Sequence, residues 1–219
     1  MAQVIAIDGP AGAGKSTIAR RLASRLGYTY VDTGAMYRSV ALAAARGGLS
    51  LCDEAGLEQL ARGIRIELLP PNLVLLNGED VTAAIRSADV TAGASVVAAV
   101  PGVRRAMVEI QRGVARAASV VMEGRDIGTV VFPDASVKVF LDADSSERAR
   151  RRAGERPEIP SDQLAAQIAD RDARDRTRAH SPLVPAADAY HLDSTGLTLE
   201  EVEDKILQLV YSTRTVNEV

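Results

Sequence analysis

Apolar positions along this chain fall into short runs that alternate with helical repeats. Val4–Ile7, Tyr28–Val31, Val120–Met122, Val137–Leu141 and Tyr190–Leu192 are too short for helices, and most run straight into polar or glycine residues. That is the pattern of buried strands. Lys15–Leu26, Met36–Arg46, Val103–Ala117, Ser145–Arg152, Asp162–Arg178 and Leu199–Val210 read as helices, with Ile18, Ala19, Leu22, Ala23 and Leu26 showing the spacing most clearly. The alternation predicts a three-layer α/β domain around a mostly parallel sheet. Two stretches depart from it. Ile64–Val81 reads strand, Pro70-Pro71-Asn72 turn, strand, Asn77-Gly78 turn, strand, which predicts a small antiparallel unit set into the parallel domain. Arg148–Arg178 carries nine arginines around a turn at Arg156–Pro160; interleaved Asp and Glu suit a pair of solvated charged helices.

Composition narrows this only a little. At 219 residues and 47% hydrophobic, the chain suits one domain with an ordinary core. The single cysteine, Cys52, excludes an internal disulfide, suits a reducing compartment and is expected to act as a small buried hydrophobe. No basic segment leads into a long apolar run at the start, and no apolar stretch reaches about 18 residues. Neither a signal peptide nor a membrane span is expected. A net charge of −3 gives no reason to expect nucleic acid. Twenty-three arginines stand against three lysines, Lys15, Lys138 and Lys205. The arginine fork suits bidentate phosphate binding. A GC-rich coding bias accounts for most of the count, so the placing of the arginines carries the information.

The chemistry starts at Gly9-Pro10-Ala11-Gly12-Ala13-Gly14-Lys15-Ser16, which fits G-x-x-x-x-G-K-[ST] between a predicted strand and a predicted helix. In that setting the backbone N–H groups and the helix N-terminus cradle phosphate, the lysine reaches the β- and γ-phosphates, and the Ser16 hydroxyl holds Mg²⁺. Other predicted strands also end in polar residues: Asp32-Thr33-Gly34, Glu123-Gly124-Arg125-Asp126, Asp142 and Asp193. Ligands of parallel sheets bind at such ends. Arg38 lies one helical turn past one strand end and Arg125 sits at another. Arg148, Arg151 and Arg152, with the Arg171–Arg178 group, are placed to close over the site from a mobile arm. Two facing phosphate centres imply an acceptor that is itself a phosphate. With two histidines, His180 and His191, and one cysteine, neither a zinc site nor a nucleophilic dyad is expected.

These motifs, with Gly78-Glu79-Asp80-Val81, Gly124-Arg125-Asp126-Ile127-Gly128-Thr129, Arg171-Asp172-Ala173-Arg174-Asp175-Arg176 and Pro182-Leu183-Val184-Pro185, resemble those of bacterial cytidylate kinases over nearly the full length. The resemblance implies a phosphate-loop kinase fold: a central parallel five-stranded sheet with the phosphate-loop strand in the middle, an inserted antiparallel β lobe at about 60–95 that binds the nucleoside monophosphate, and a helical lid at about 148–178, all within one domain spanning 1–219. It implies transfer of the γ-phosphoryl of ATP to CMP or dCMP, with Mg²⁺, by a cytoplasmic monomer. It assigns Gly9, Pro10, Ala11, Gly12, Ala13, Gly14, Lys15, Ser16 and Thr17 to ATP. The acceptor falls to Thr33, Arg38, Ser95, Arg104, Arg125, Asp126, Asp175 and Arg178, and catalysis to Lys15, Arg125 and Arg178. Ser95, Arg104 and Asp126 read cytosine; Arg38, Arg125 and Arg178 hold its phosphate; Asp175 meets the ribose; Arg148, Arg151 and Arg152 belong to the lid. Another small phosphate-loop kinase would share the donor loop but lack the insert and the Ser95, Arg104 and Asp126 set. A nucleotide-binding regulatory module would need no second arginine cluster.

Overall fold

A computed structural model of the chain describes residues 2–157 and 159–217. In chain order the elements are β1 Val4–Asp8, α1 Lys15–Leu26, β2 Thr29–Asp32, α2 Thr33–Arg46, α3 Glu54–Gly63, β3 Ile66–Leu69, β4 Leu73–Leu76 and β5 Glu79–Asp80. There follow α4 Ala88–Val97, α5 Pro101–Ala117, β6 Val120–Gly124, β7 Val137–Asp142, α6 Ser145–Glu155, α7 Ser161–Thr177, β8 Tyr190–Asp193 and α8 Leu199–Asn217. A 3₁₀ turn occupies Ala84–Arg86 and a π-helical turn Ile127–Val131.

The chain divides into two compact units. The first runs to Tyr30 and resumes at Ala115. Its sheet has the order β2-β6-β1-β7-β8, so the strand that feeds the glycine loop is the middle one of five. β1 pairs in parallel with β6 (Ile5 opposite Val121) and with β7 (Ile5 opposite Val137); β7 pairs in parallel with β8 (Leu141 opposite Leu192). β6 is buried along its whole length, as a parallel strand covered on both faces must be. Ile18, Leu22, Ile5, Ile7, Val139, Leu141, Ile206 and Val210 share one core. Helix α1 is also tied to α8 by Arg21, which donates to Glu203 at 2.6 Å and to Glu200 at 2.9 Å.

The second unit, Val31–Val114, has its own core, with Val40, Leu57, Val74, Leu76, Ile85, Val97, Val103 and Met107. Its three-stranded antiparallel sheet has the order β3-β4-β5, with Ile66 opposite Leu76 and Leu75 opposite Asp80. Asn77 (φ 53°) and Gly78 (φ 86°) both take the left-handed conformation that a type I′ hairpin turn needs.

All five parallel strands and the three hairpin strands predicted from the sequence are present. Two helices were not anticipated. α3 is capped by Asp53, which accepts from the Gly56 N–H, and buries Leu57 and Ala61 four residues apart. α4 begins at a Ser87 cap but is apolar almost all round, so it carries no helical periodicity to read. Cys52 corrects an expectation: it lies exposed in a turn rather than in the core. The predicted Arg156–Pro160 turn separates α6 from α7, though its Glu158 lies outside the described residues.

Candidate active site

Within the first unit, β1 delivers Asp8 and the chain then turns through a loop that only glycine can build. Gly9 has φ 149°, Gly12 φ 77° and Gly14 φ 90°. A Cβ at Gly9 would stand 1.9 Å from the Leu141 carbonyl oxygen, so β7 itself forbids any side chain there. A Cβ at Gly12 would meet the Arg148 carbonyl oxygen at 3.0 Å. Gly14 is the N-cap of α1, where no side chain caps the helix and no acidic residue stands in the first turn. The N-terminal amides and the positive end of the helix dipole are therefore offered to an anion.

Lys15 is buried, and its Nζ donates to the Pro10 carbonyl at 2.6 Å across the loop. Burial, reinforced by the Arg125 and Arg171 charges and opposed by Glu123 and Asp8, lowers its pKa to about 7. A cation held this far from its ordinary value is one that incoming phosphate would recharge. Ser16 follows in the first turn of α1 and brings one hydroxyl. Among the described residues no group of three or more His, Cys, Asp or Glu side chains forms a cage for a metal ion. A single hydroxyl is an oxygen donor of the kind that suits Mg²⁺, an ion that keeps most of its ligands from phosphate and water.

At the end of β6 stands a second, side-chain-built arrangement. Arg125 Nε donates to Asp175 Oδ2 at 2.8 Å, and Arg178 lies 3.9 Å from Asp175 and 3.7 Å from Asp126. All four side chains are buried or nearly so. Burial opposes ionisation of Asp175, yet the Arg125 and Arg171 charges hold its carboxyl below the usual range. Arg125 is likewise raised by Asp175, against the cost of its burial. Asp126 opens the π-helical turn, whose next two amides, Ile127 and Gly128, donate to Asp8 at 2.8 and 2.7 Å. Asp8 is pushed up to about 6, chiefly by burial. Glu123 accepts from the Tyr30 hydroxyl.

Of the three predicted lid arginines, Arg148 is buried and donates to the Ala11, Ala143 and Asp172 oxygens, while Arg151 donates to Glu147, Ala13 and Ser194. Arg152 pairs with Glu155 at 2.7 Å. His180 and His191 are both exposed; His191 lies beside Phe140 in β8, with ring centroids 5.7 Å apart. Sequence reading puts Asp8 at a strand end on the site edge and Asp172 within a motif, but gives neither a role. The spacing of Asp172, Asp175 and Arg178, each three apart on one helical face, was the available signal.

The second unit holds the other expected acceptor residues. Asp32 caps α2 by accepting from the Ala35 N–H at 2.8 Å and takes Arg38 Nη2 at 2.9 Å. The Arg38 guanidinium lies against Gly34, where a Cβ would come within 3.0 Å of Nη1; its Nε is buried without a partner. Thr33 is buried at the start of α2. Ser95, buried on α4, donates to the Ala92 carbonyl at 3.0 Å. Arg104, buried on α5, donates to the Ala98 carbonyl at 3.1 Å and stacks 5.6 Å over the Tyr37 ring.

A glycine loop between the central strand of a parallel sheet and an uncapped helix defines a phosphate-loop protein of the α/β class. A family sequence model described as cytidylate kinase matches residues 5–212. A cytidylate kinase of Solibacter usitatus is 59% identical over 215 residues, covering 95% of this chain and 92% of that protein. One of Limosilactobacillus fermentum is 52% identical over 209 residues, covering 92% of each. A gluconokinase of Sinorhizobium meliloti shares the fold, with a TM-score of 0.53 at 13% identity over 99% of this chain and 95% of that one. The chain belongs to the cytidylate kinase family.

Proposed function

We propose that this kinase passes the γ-phosphoryl group of ATP to the phosphate of CMP or dCMP, releasing ADP and the nucleoside diphosphate. The observation that carries the reading is the pair of unlike anion sites within the first unit: amides and Lys15 at Gly9–Thr17, and Arg125 with Arg178 at the end of β6. Phosphoryl transfer asks a protein mainly for positioning and positive charge, and both are supplied here. An oxygen of the acceptor phosphate bonds to the γ-phosphorus as the bond to the β,γ-bridging oxygen breaks, and ADP carries that electron pair away. Lys15 meets the charge on the β- and γ-phosphates. Arg125 and Arg178 hold the acceptor phosphate and neutralise its repulsion for the incoming group. Ser16 would hold Mg²⁺ together with the nucleotide, and the ion would supply further charge neutralisation there.

In the same reading Asp126 accepts from the exocyclic amine of cytosine and Asp175 from the ribose hydroxyls. Uracil would set a carbonyl oxygen against the Asp126 carboxylate, so the site rejects it. In the second unit Arg38 and Thr33 serve the acceptor phosphate, the buried Arg38 Nε being a donor in want of an anion, while Ser95 and Arg104 donate to the base. The segment 148–178 acts as lid and the β3–β5 lobe as part of the monophosphate-binding insert. A working monomer belongs to the same reading. Among the described residues no helix is long and apolar enough to cross a membrane. The nucleotide substrates are what support a cytoplasmic enzyme. The test is ATP-dependent phosphorylation of CMP, dCMP, UMP and AMP by the purified protein. Cytosine monophosphates are expected to turn over at least tenfold more efficiently than the others; equal or better use of AMP would overturn the assignment.

A further inference from the structure

The face of α7 that carries Asp175 begins one turn earlier at Asp172, a carboxylate only 2% exposed. Its two oxygens face two different partners. Oδ1 accepts from the Ala11 N–H at 3.0 Å, and Oδ2 accepts from Arg148 Nη1. The same Arg148 nitrogen donates to the Ala11 carbonyl at 3.0 Å, and Arg148 Nε donates to the Ala143 carbonyl at 3.1 Å. One buried ion pair therefore holds both polar groups of a phosphate-loop residue. So buried a pair yields little net stability once its desolvation is counted, so stability alone does not account for it. One turn along α7, Asp175 holds Arg125, and Arg178 at the C-cap lies beside Asp126. An α-helix advances about 1.5 Å per residue and moves as a rod, so a shift that disturbs Asp172 also disturbs Asp175.

We infer that Asp172 is a positioning residue: through α7 it couples the phosphate loop to the ion pairs at the end of β6, so that donor and acceptor each raise the other's affinity. This rests on the reading of Arg125, Asp126 and Asp175 as acceptor ligands. Settling phosphate on the loop fixes Ala11, Ala11 fixes Asp172, and α7 then presents Asp175 and Arg178 in one arrangement. Such coupling is reciprocal, because both ligands bias the same element.

The test is calorimetric titration with CMP, in the presence and absence of a non-hydrolysable ATP analogue, of the unaltered protein, Asp172→Ala and Asp172→Asn. The unaltered protein should bind CMP about fivefold or more tightly with the analogue present, the lower end of ordinary coupling. In Asp172→Ala the factor should fall below about twofold, on the same scale. Asp172→Asn should lie between, since its oxygen can still take the Ala11 N–H while its amide faces a second donor in Arg148. A merely structural Asp172 would lower the melting temperature and leave the factor unchanged. If Asp172→Ala does not fold, the nearly isosteric Asn variant decides. A factor of one in the unaltered protein, or an undiminished factor in the folded variants, overturns the inference. Failure of the unaltered protein to phosphorylate CMP overturns instead the functional reading beneath it.

Discussion

The two anion sites proposed for the first unit are built on opposite plans. The Gly9–Thr17 loop presents main-chain amides, made available by three glycines at positive φ and by a helix with no capping side chain. The arrangement at the end of β6 presents side chains, Arg125 and Arg178 against Asp126 and Asp175, already paired with one another. A backbone site draws its donors from the main chain, and Lys15 is the one charged side chain within Gly9–Thr17. A site of buried, mutually paired charges is bound into the stability of the fold, because removing one partner strands the other. The first should therefore lose function without losing structure, and the second should lose both.

The sharpest test is Lys15→Ala. Phosphoryl transfer should drop about 100- to 1000-fold, the size typical of removing one charge-stabilising donor. Its melting temperature should hold or rise, because a buried cation is removed; a marked fall would erase the distinction. Arg125→Ala should behave differently. Besides weakening CMP binding, it leaves Asp175 buried beside a weaker partner, costing about 3 kcal/mol, or on the order of 6–12 °C in melting temperature. Unchanged thermal unfolding would show that the pair network is as dispensable to the fold as the loop is. Asp126→Ala should cut the CMP-over-UMP preference about 10- to 100-fold, the span for losing one base contact, with the KM for ATP left within about twofold. Equal losses for both bases would remove Asp126 from recognition. The smallest effect is a proton. Lys15 rests at about 7, and bound phosphate favours its charged form. Above pH 7 it is increasingly neutral, so ATP binding there should take up a proton and weaken as pH rises. Calorimetry in buffers of different ionisation enthalpy reads that proton; no uptake would mean Lys15 is fully charged beforehand.

The same contrast governs how far the sequence could be read. The phosphate loop was legible residue by residue because its function is local: nine consecutive positions specify the conformation that binds. The antiparallel strands were legible from Asn77-Gly78 for the same reason. The roles of Asp172 and Asp8 were not, because their partners lie 161 and 119 residues away, and the helical spacing of Asp172 with Asp175 and Arg178 marks a shared face without naming what that face meets. Arg125 and Asp126 stood between these cases, marked by their position after a strand but given roles only through resemblance. Helix α4 escaped because it is apolar nearly all round, which leaves a periodicity argument nothing to measure. Cys52 was misplaced because a small apolar side chain carries no label for turn or core.

Position 9 offers a consequence for laboratory evolution of this enzyme. The Leu141 carbonyl that excludes a Cβ there is main chain, so no second-site replacement on β7 can clear it. A mutational library that randomises the loop should return glycine alone at this position, whatever substrate is selected for. Diversity spent there would be lost, and the acceptor side of the sheet edge is where new specificities are open to search.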